Sequence, residues 1–579
     1  MSKKNRKQPN RAASGNIASG KSAPSAVKTV ETEKKRCLFE YIVVNIICLF
    51  IFMAFGYIAI MSFFQTSVID PSNYASEVIL YQTDILILNL LVTALFFVIL
   101  FALKPLYNLI DKVNLLYLEI GLGVYAFIIG MFWIFSVNSI PAADSQNIFE
   151  TATNAAQNNY YPFENFSQFY NRDFYNGFSY FNFYPFQLGF VFICELVYRV
   201  FGVSSSMPVQ VLNVIGVSLA YVGLARITRL LFKKKSIEFG AILMLGVCFQ
   251  PILLCTFVYG NILGMSAAIW ASLFLIKYFQ TEKYVWLIPS GCLLIFSVLA
   301  KYNNMIYLVA FCIMLLIHGI KTIVQKTGKE RIIKSVISHG MIAVLVLGCV
   351  GSIKLIIFSY EQRANVDLED GVSQAAYLDM GLTESYMAPG WYTRTGLELY
   401  LNNNLDGDTA TAQAWSDIGT KLDALTSDPE KFLDFFSKKI LSQWNETTFE
   451  SIWVSKVKGH TDNNIGWLGT QVYDKSFGQM LEIHFNLFMQ VLYLLFAAGI
   501  YFMFIHKKSS VETVLLPLVV LGGFAYHLLF EGKSQYVLTY IPLLIPTAAF
   551  ALDTIQFGKY EKLKELIKKI NRIPERGKK

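Results

Sequence analysis

Apolar runs of roughly 20 residues, separated by short polar turns, recur along the chain from residue 39 to residue 556. Each is long enough to cross a ~30 Å hydrocarbon core as a helix, which satisfies every backbone polar group within the segment. The runs predict spans at about 39–64, 85–103, 115–137, 209–232, 237–258, 262–279, 284–300, 303–320, 336–358, 483–505, 511–530 and 536–556, about twelve in all. The run 186–201 (FQLGFVFICELVYRVF) stands apart, being short and carrying Glu195 and Arg199. Were it to cross, Lys233-Lys234-Lys235 would fall on the outer side, against the bias of basic loops toward the cytoplasm. It is therefore predicted as an interfacial or re-entrant helix.

The pattern divides the chain into five parts. Residues 1–36 are rich in Lys, Ser, Ala and Asn and bury too little apolar surface to fold, so they are expected as a disordered basic cytoplasmic tail. The first apolar run is too long for a signal-peptide core and has no small-residue cleavage site after it, so it should remain as a span. An N-terminal membrane module then covers 37–358 and includes a polar, aromatic-rich outer loop at 138–185. Residues 359–480 form one extracytoplasmic domain, too long for an ordinary connection and mostly helical. Asp428-Pro429 is a helix start, with an N-cap carboxylate followed by Pro in the first turn. A second membrane module covers 481–556. The tail 557–579 places Leu563, Leu566, Ile567 and Ile570 at helical spacing among basic residues, as suits a helix lying on an anionic inner leaflet.

Composition agrees with this picture. Of the 579 residues 54% are hydrophobic and only 16% charged, against about 25% charged in soluble globular chains. The net charge of +8 lies largely in the tails and short loops, where it sets orientation, and is not a nucleic-acid signal. All eight cysteines sit in or beside apolar runs without metal-ligand spacing, so neither a disulfide framework nor a zinc site is expected. Asn165-Phe-Ser and Asn445-Glu-Thr match the glycosylation acceptor pattern.

Candidate chemistry gathers at one membrane face. Asp144 follows the third span by a few residues and opens a segment that closes on Tyr184-Pro185. As a bland alternative it is a solvated carboxylate or the cap of a helix beginning DSQNIFETATNAAQ. Lys301 ends the span 284–300 on the same side, where it could equally anchor the helix end by snorkelling; Lys354 is similar. The outer turn FEGKSQY offers Glu531, Lys533, Gln535 and Tyr536, in which Lys533 could hold a phosphate while Glu531 orients it. The bland reading is a solvated turn with a weak ion pair.

These motifs resemble the GT-C superfamily of membrane glycosyltransferases, and within it the protein O-mannosyltransferase and aminoarabinose-transferase branch of Gram-positive bacteria. The segment YFNFYPFQLGFVFICELVYRVFGVS is similar to that branch's Tyr-Pro segment. AKYNNMIYLVA resembles its lysine at an outer span end, FEGKSQYVLTYIPLLIP its outer acidic-basic-Tyr turn, and KKILSQWNETTFESIW is family-typical. The chain departs from the branch in lacking an arginine in the outer turn and in carrying two additional spans before the Asp144 loop. The resemblance covers most of residues 40–556. It implies a GT-C-like, all-α polytopic membrane protein, with Asp144 as catalytic base. Lys301, Lys533 and Arg172 would face the donor phosphate, with Glu531, Gln535, Tyr536, Tyr184 and Asp173 in support. No Asp-x-Asp is read in the chain, which argues against metal dependence; no metal ligands are assigned, and a divalent cation is the one cofactor left open.

The expected function is transfer of a sugar from a polyprenyl-phosphate-linked donor to an extracytoplasmic acceptor such as a cell-wall polymer, surface glycan or protein, at the cell membrane. Membrane lipids are expected partners and nucleic acid is not. A nucleotide sugar is disfavoured because the candidate residues face outward and no dinucleotide-type glycine fingerprint exists. The main rival is a transporter or flippase for a lipid-linked glycan, which predicts charges buried mid-span along a pathway. An envelope scaffold would account for the outer domain but not for Asp144, Lys301 and Lys533 sharing one face.

Overall fold

The computed structural model describes residues 37–73, 76–102, 110, 112–165, 173–457 and 465–570, with side chains described as far as 557. The expected disordered tail 1–36, Arg172, and the side chains of the C-terminal tail lie outside them. Among the described residues the chain is helical apart from one two-stranded hairpin.

Among the described residues nine helices are long and apolar enough to cross a membrane: Leu38–Phe64, Leu115–Val137, Met207–Phe232, Asn261–Thr281, Tyr302–Gln325, Gly328–Ala364, Ser476–Ile505, Val511–Leu529 and Ser534–Phe557. Two bent pairs raise the number to eleven if each is one span, and Leu86–Ala102 and Tyr284–Ala300 are shorter apolar helices. The expected spans therefore all appear as helices among the described residues. The span expected at 237–258 is broken by 43° between Lys235–Gly246 and Gln250–Thr256. Pro251 lies in the first turn of the second piece, where its missing N–H costs nothing but where it cannot continue the preceding helix.

The run 186–201 also differs from its neighbours. Leu188–Phe201 has 14 residues, about 21 Å of helix, and meets the preceding Asp173–Phe183 stretch at 61°. Its charged residues have an internal use. Glu195 is buried and accepts hydrogen bonds from Arg199 (2.9 Å), Arg363 (2.8 Å) and the Tyr360 hydroxyl (2.5 Å), which fastens this helix to the long Gly328–Ala364 helix. A buried carboxylate is tolerated because three donors replace its water.

The segment 359–480 is helical, as its sequence suggests: Gln374–Gly381, Thr395–Asn402, Gly407–Thr426, Pro429–Trp444, Ser451–Lys456 and Trp467–Asp474 follow one another. Asp428 caps Pro429–Trp444 by accepting from the Glu430 and Lys431 amides. Asp406-Gly407-Asp408 has Asp-x-Asp spacing, yet Asp406 is an N-cap as well, accepting from the Asp408 and Thr409 amides. Asn445 of the second sequon is buried and bonded to the Gln65 carbonyl, so it is not presented as a glycosylation acceptor.

The hairpin went unread in the sequence. Gln65–Ile69 pairs antiparallel with Ile79–Thr83, between the first two apolar helices. Its edges are not left open: the Ser67 amide donates to Asn445 and the Ile79 amide to Met387. This docks the connection between the first two apolar helices on the 359–480 helices, and Glu77 within it is buried. At the other end of the chain, one helix runs from Ile541 to Ile570, so the last apolar span and the start of the basic tail are continuous.

Candidate active site

Asp144 is the first residue of the helix Asp144–Ala156 and is exposed. The turn before it is strained: Ala143 has φ 52° and ψ −130°, a conformation that costs a non-glycine residue about 1–3 kcal/mol. Ser145 closes that turn, donating to the Ala142 carbonyl (2.7 Å) and accepting from the Ala142 amide (3.1 Å). The N-cap position belongs to Ala143, with no side-chain cap. Asp144 is thus not spent on capping its helix, which removes one of the bland readings. Its carboxylate has one polar neighbour among the described residues, the Tyr259 hydroxyl at 3.5 Å.

Tyr259 joins the two ends of the site. Its hydroxyl accepts from Gln187 Nε2 (2.6 Å), in the turn that follows Tyr184-Pro185, so the Tyr-Pro re-entry has a local purpose. The Lys301 ammonium lies 3.8 Å from the centre of the Tyr259 ring, well within cation–π range. Gly260 permits this approach. It has φ +77°, and a Cβ there would sit 1.9 Å from the Ala300 carbonyl oxygen. Behind Tyr259, buried Asn213 donates to the Cys255 and Phe257 carbonyls, while Gln210 donates to Ser139 and Thr256. Two amides on one helix thereby hold the Tyr259 segment and the Asp144 loop in fixed relation.

Lys301 is buried, with no ion pair or hydrogen bond to its ammonium among the described residues. Burial pushes it down to about 7, against the opposing pull of Asp144 and Glu531. Glu531 is the counterpart: burial pushes it up to about 7, against Lys533, Lys439, the Tyr536 hydroxyl bond and Lys301. Tyr536 donates to Glu531 (3.4 Å), and its ring lies 5.7 Å from the Lys301 ammonium. Asp144, Lys301 and the Glu531–Tyr536 turn are thus gathered from three separate stretches of chain.

Lys533 is held differently from the sequence expectation. Its ion pair is with Glu77 of the first outer loop, not with Glu531. Burial would lower its pKa, but Glu77, Glu450 and Glu531 hold it above the ordinary lysine value. The turn that carries it is fixed from the 359–480 segment: Ser534 donates to Glu450 (3.1 Å), and the Gln535 amide approaches the same oxygen at 3.5 Å. Glu450 follows Phe449, and both have positive φ, 56° and 50°. The motif KKILSQWNETTFESIW therefore grips the FEGKSQY turn.

Lys439, on the helix Pro429–Trp444, is buried and bonded to the Gly381, Leu529 (3.4 Å) and Phe530 (3.0 Å) carbonyls. It closes the C-terminal ends of two helices with one cation. Gly390, at φ +69°, makes room, since a Cβ there would meet Lys439 Cε at 2.4 Å. Lys439→Met strips donors from buried carbonyls next to the Glu531 turn. It should cost about 1–3 kcal/mol, read as a lower melting temperature of the purified protein in detergent; an unchanged melt would refute this anchoring role.

An aromatic lid completes the site. Tyr175, Tyr180 and Tyr184 pack on one another, with ring centres 4.9–6.4 Å apart. Burial and then the Asp144 charge raise Tyr175 and Tyr180 above the ordinary phenol range. The lid is pinned by Arg394, whose guanidinium lies 4.4 Å from the Phe174 ring centre and donates to the Phe174 carbonyl. Asp173 opens an exposed turn without an ion pair among the described residues. Lys354 is exposed along the Gly328–Ala364 helix, away from these contacts. Glu77, Tyr259 and Lys439 were not singled out in the sequence; of the three, only Tyr259 had a visible cue, the Tyr-Gly-Asn break between two apolar runs. Among the described residues no group of three His, Cys, Asp or Glu side chains could hold a metal ion.

Residues 187–350 match the family model of dolichyl-phosphate-mannose-protein mannosyltransferase. That stretch contains Gln187, Tyr259 and Lys301 but neither Asp144 nor the Glu531 turn. No curated protein matches the chain significantly. Among solved structures, the chain is similar to archaeal oligosaccharyltransferase AglB from Archaeoglobus fulgidus, in complex with an inhibitory peptide and a dolichol-phosphate. Identity is 15% over 80% of this chain and 52% of that one, with a TM-score of 0.39. It is also similar to the Archaeoglobus fulgidus oligosaccharyltransferase complex with Zn and sulfate, at 14% identity over 78% of this chain and 51% of that one, with a TM-score of 0.38. The chain spans about half the length of those proteins. The family match bears out the resemblance to GT-C membrane glycosyltransferases without singling out a Gram-positive branch.

Proposed function

We propose that this chain is a membrane glycosyltransferase of the GT-C type that takes a sugar from a polyprenyl-phosphate-linked donor and places it on a hydroxyl of an extracytoplasmic acceptor in the cell envelope. The observation that carries the reading is the meeting at Tyr259 of an uncapped, accessible carboxylate and a buried ammonium without an ion-pair partner. Sugar transfer from a phosphate needs both. Asp144 takes the proton from the acceptor hydroxyl as its oxygen attacks the anomeric carbon. The bond from that carbon to the phosphate oxygen breaks, and the phosphate leaves with the electron pair. Lys301 balances the charge that develops there. Glu531 and Tyr536 set the potential around Lys301. Lys533, already paired with Glu77, adds positive potential from behind, and Arg172 is a further candidate on the donor side. Tyr184 and its neighbours supply an aromatic wall for the sugar.

The test uses purified protein in lipid, a radiolabelled polyprenyl-phosphate sugar and a membrane extract as acceptor source. Label should appear covalently on acceptor with release of the polyprenyl phosphate, and a nucleotide sugar should not substitute. Label that crosses proteoliposomes without ever forming a glycosidic bond would overturn the enzyme reading in favour of a transporter.

A further inference from the structure

At the opposite end of the membrane helices lies a second polar site. The helices Leu115–Val137 and Met207–Phe232 each have one end at the Asp144 loop, where Gln210 bonds Ser139. Their other ends, some 35 Å away at 1.5 Å per residue, frame a cavity of about 550 Å³ lined by Lys112, Arg229, Lys233, Lys234 and Lys235. That volume falls within the ~300–1,000 Å³ usual for small-molecule sites.

The charges are unequally matched. Glu119, Glu238 and Asp553 are buried at its base. Each is already engaged: Glu119 with Arg226 and Arg229, Glu238 with Arg229, and Asp553 with Lys234. Lys112 and Lys233 are exposed at the rim, with no carboxylate partner among the described residues. Lys112 and Lys233 thus bring to the cavity positive charge that no described carboxylate matches. Orientation alone would need basic residues in the loops but not a walled pocket drawn from two of them.

We propose that this cavity binds the phosphate of an anionic membrane phospholipid, on the face opposite the candidate active site. A lipid is favoured over a soluble anion because the helix wall leading away from the pocket is apolar and open. Leu116, Tyr117 and Ile120 are 37%, 71% and 50% exposed, and give acyl chains a surface to lie on while the headgroup meets the lysines.

The test is native mass spectrometry of the full chain released from detergent carrying phosphatidylglycerol or phosphatidylcholine, with inorganic phosphate as competitor. Wild type should retain phosphatidylglycerol selectively. Lys112→Gln with Lys233→Gln should weaken that retention roughly thirtyfold, whereas Lys112→Arg with Lys233→Arg should keep it. Both variants alter exposed side chains, so their melts in phosphatidylcholine should match wild type. Undiminished retention by the glutamine pair would overturn the proposal. So would loss of retention in the arginine pair, or displacement of the lipid by inorganic phosphate at millimolar concentration, which would make this a site for the free anion.

Discussion

Asp144→Asn should lower sugar transfer by about 10²–10⁴-fold, the usual worth of a positioned general base, while donor binding persists. The substitution keeps the size of the side chain and its contact with the Tyr259 hydroxyl, but removes the proton acceptor. The surrounding structure makes it a clean test. Asp144 caps nothing, carries no ion pair among the described residues and is exposed, so the asparagine variant should melt like wild type. The strain at Ala143 is set by the Ser145 bonds to Ala142, which the variant leaves intact. Asp144→Glu should recover a fraction of the activity only if the longer arm still reaches the acceptor oxygen. Single-turnover rates with pre-bound donor separate the two effects, because a base acts on the chemical step and not on donor affinity. Full-rate transfer by Asp144→Asn would remove Asp144 as the base. Asp173 and Glu164 would then be the next carboxylates of the same loop to test.

How far the site was legible follows from where its residues sit in the chain. Asp144, Lys301 and Lys533 each stand near the end of an apolar run, and hydropathy locates such ends well. The rule that basic loops mark one side then assigns all three to one face, which is why they could be grouped without coordinates. What the pattern cannot give is contact between loops. The Glu77 that pairs with Lys533 belongs to a short polar connection, and its placement depends on a hairpin whose partners, Asn445 and Met387, lie more than 300 residues away. Lys439 lies at helical spacing with Phe432, Phe435, Phe436 and Ile440, and nothing local announces that two helix C-termini converge on it. Glu195 and Arg199 were informative in the opposite direction: they marked 186–201 as different, and the reason is an ion cluster with Arg363 rather than exposure to an interface. The break at 247–249 was hidden because an apolar run interrupted by one proline retains the hydropathy of a span.

Donor affinity should fall as pH rises through about 7, and Lys301 should be the reason. Burial lowers this lysine to about 7, so its cationic form predominates below that pH and is lost above it. If only the cation holds the donor phosphate, binding weakens by about tenfold per pH unit above the titration, or roughly a hundredfold by pH 9. Glu531 acts with the same sign: raised to about 7, it becomes anionic over the same interval and opposes a phosphate nearby. Variants separate the two. Glu531→Gln removes the carboxylate's titration and leaves those of Lys301 and of Lys439, which burial likewise lowers to about 7. Lys301→Met, which fills similar space without charge, should weaken donor binding at pH 6 by roughly 10–150-fold, the worth of one charge-assisted hydrogen bond. Its remaining pH dependence should be that of Glu531 and Lys439. The measurement is equilibrium binding of a polyprenyl phosphate to protein in lipid nanodiscs between pH 5.5 and 9. The phosphate of a donor diester keeps its charge over this range, so a diester analogue excludes titration of the ligand itself. Affinity that stays level from pH 6 to 9 in wild type, or equal affinity of wild type and Lys301→Met at pH 6, would show that this ammonium does not meet the phosphate. Lys301 would then be a helix-end anchor, and Lys533 the cation to pursue.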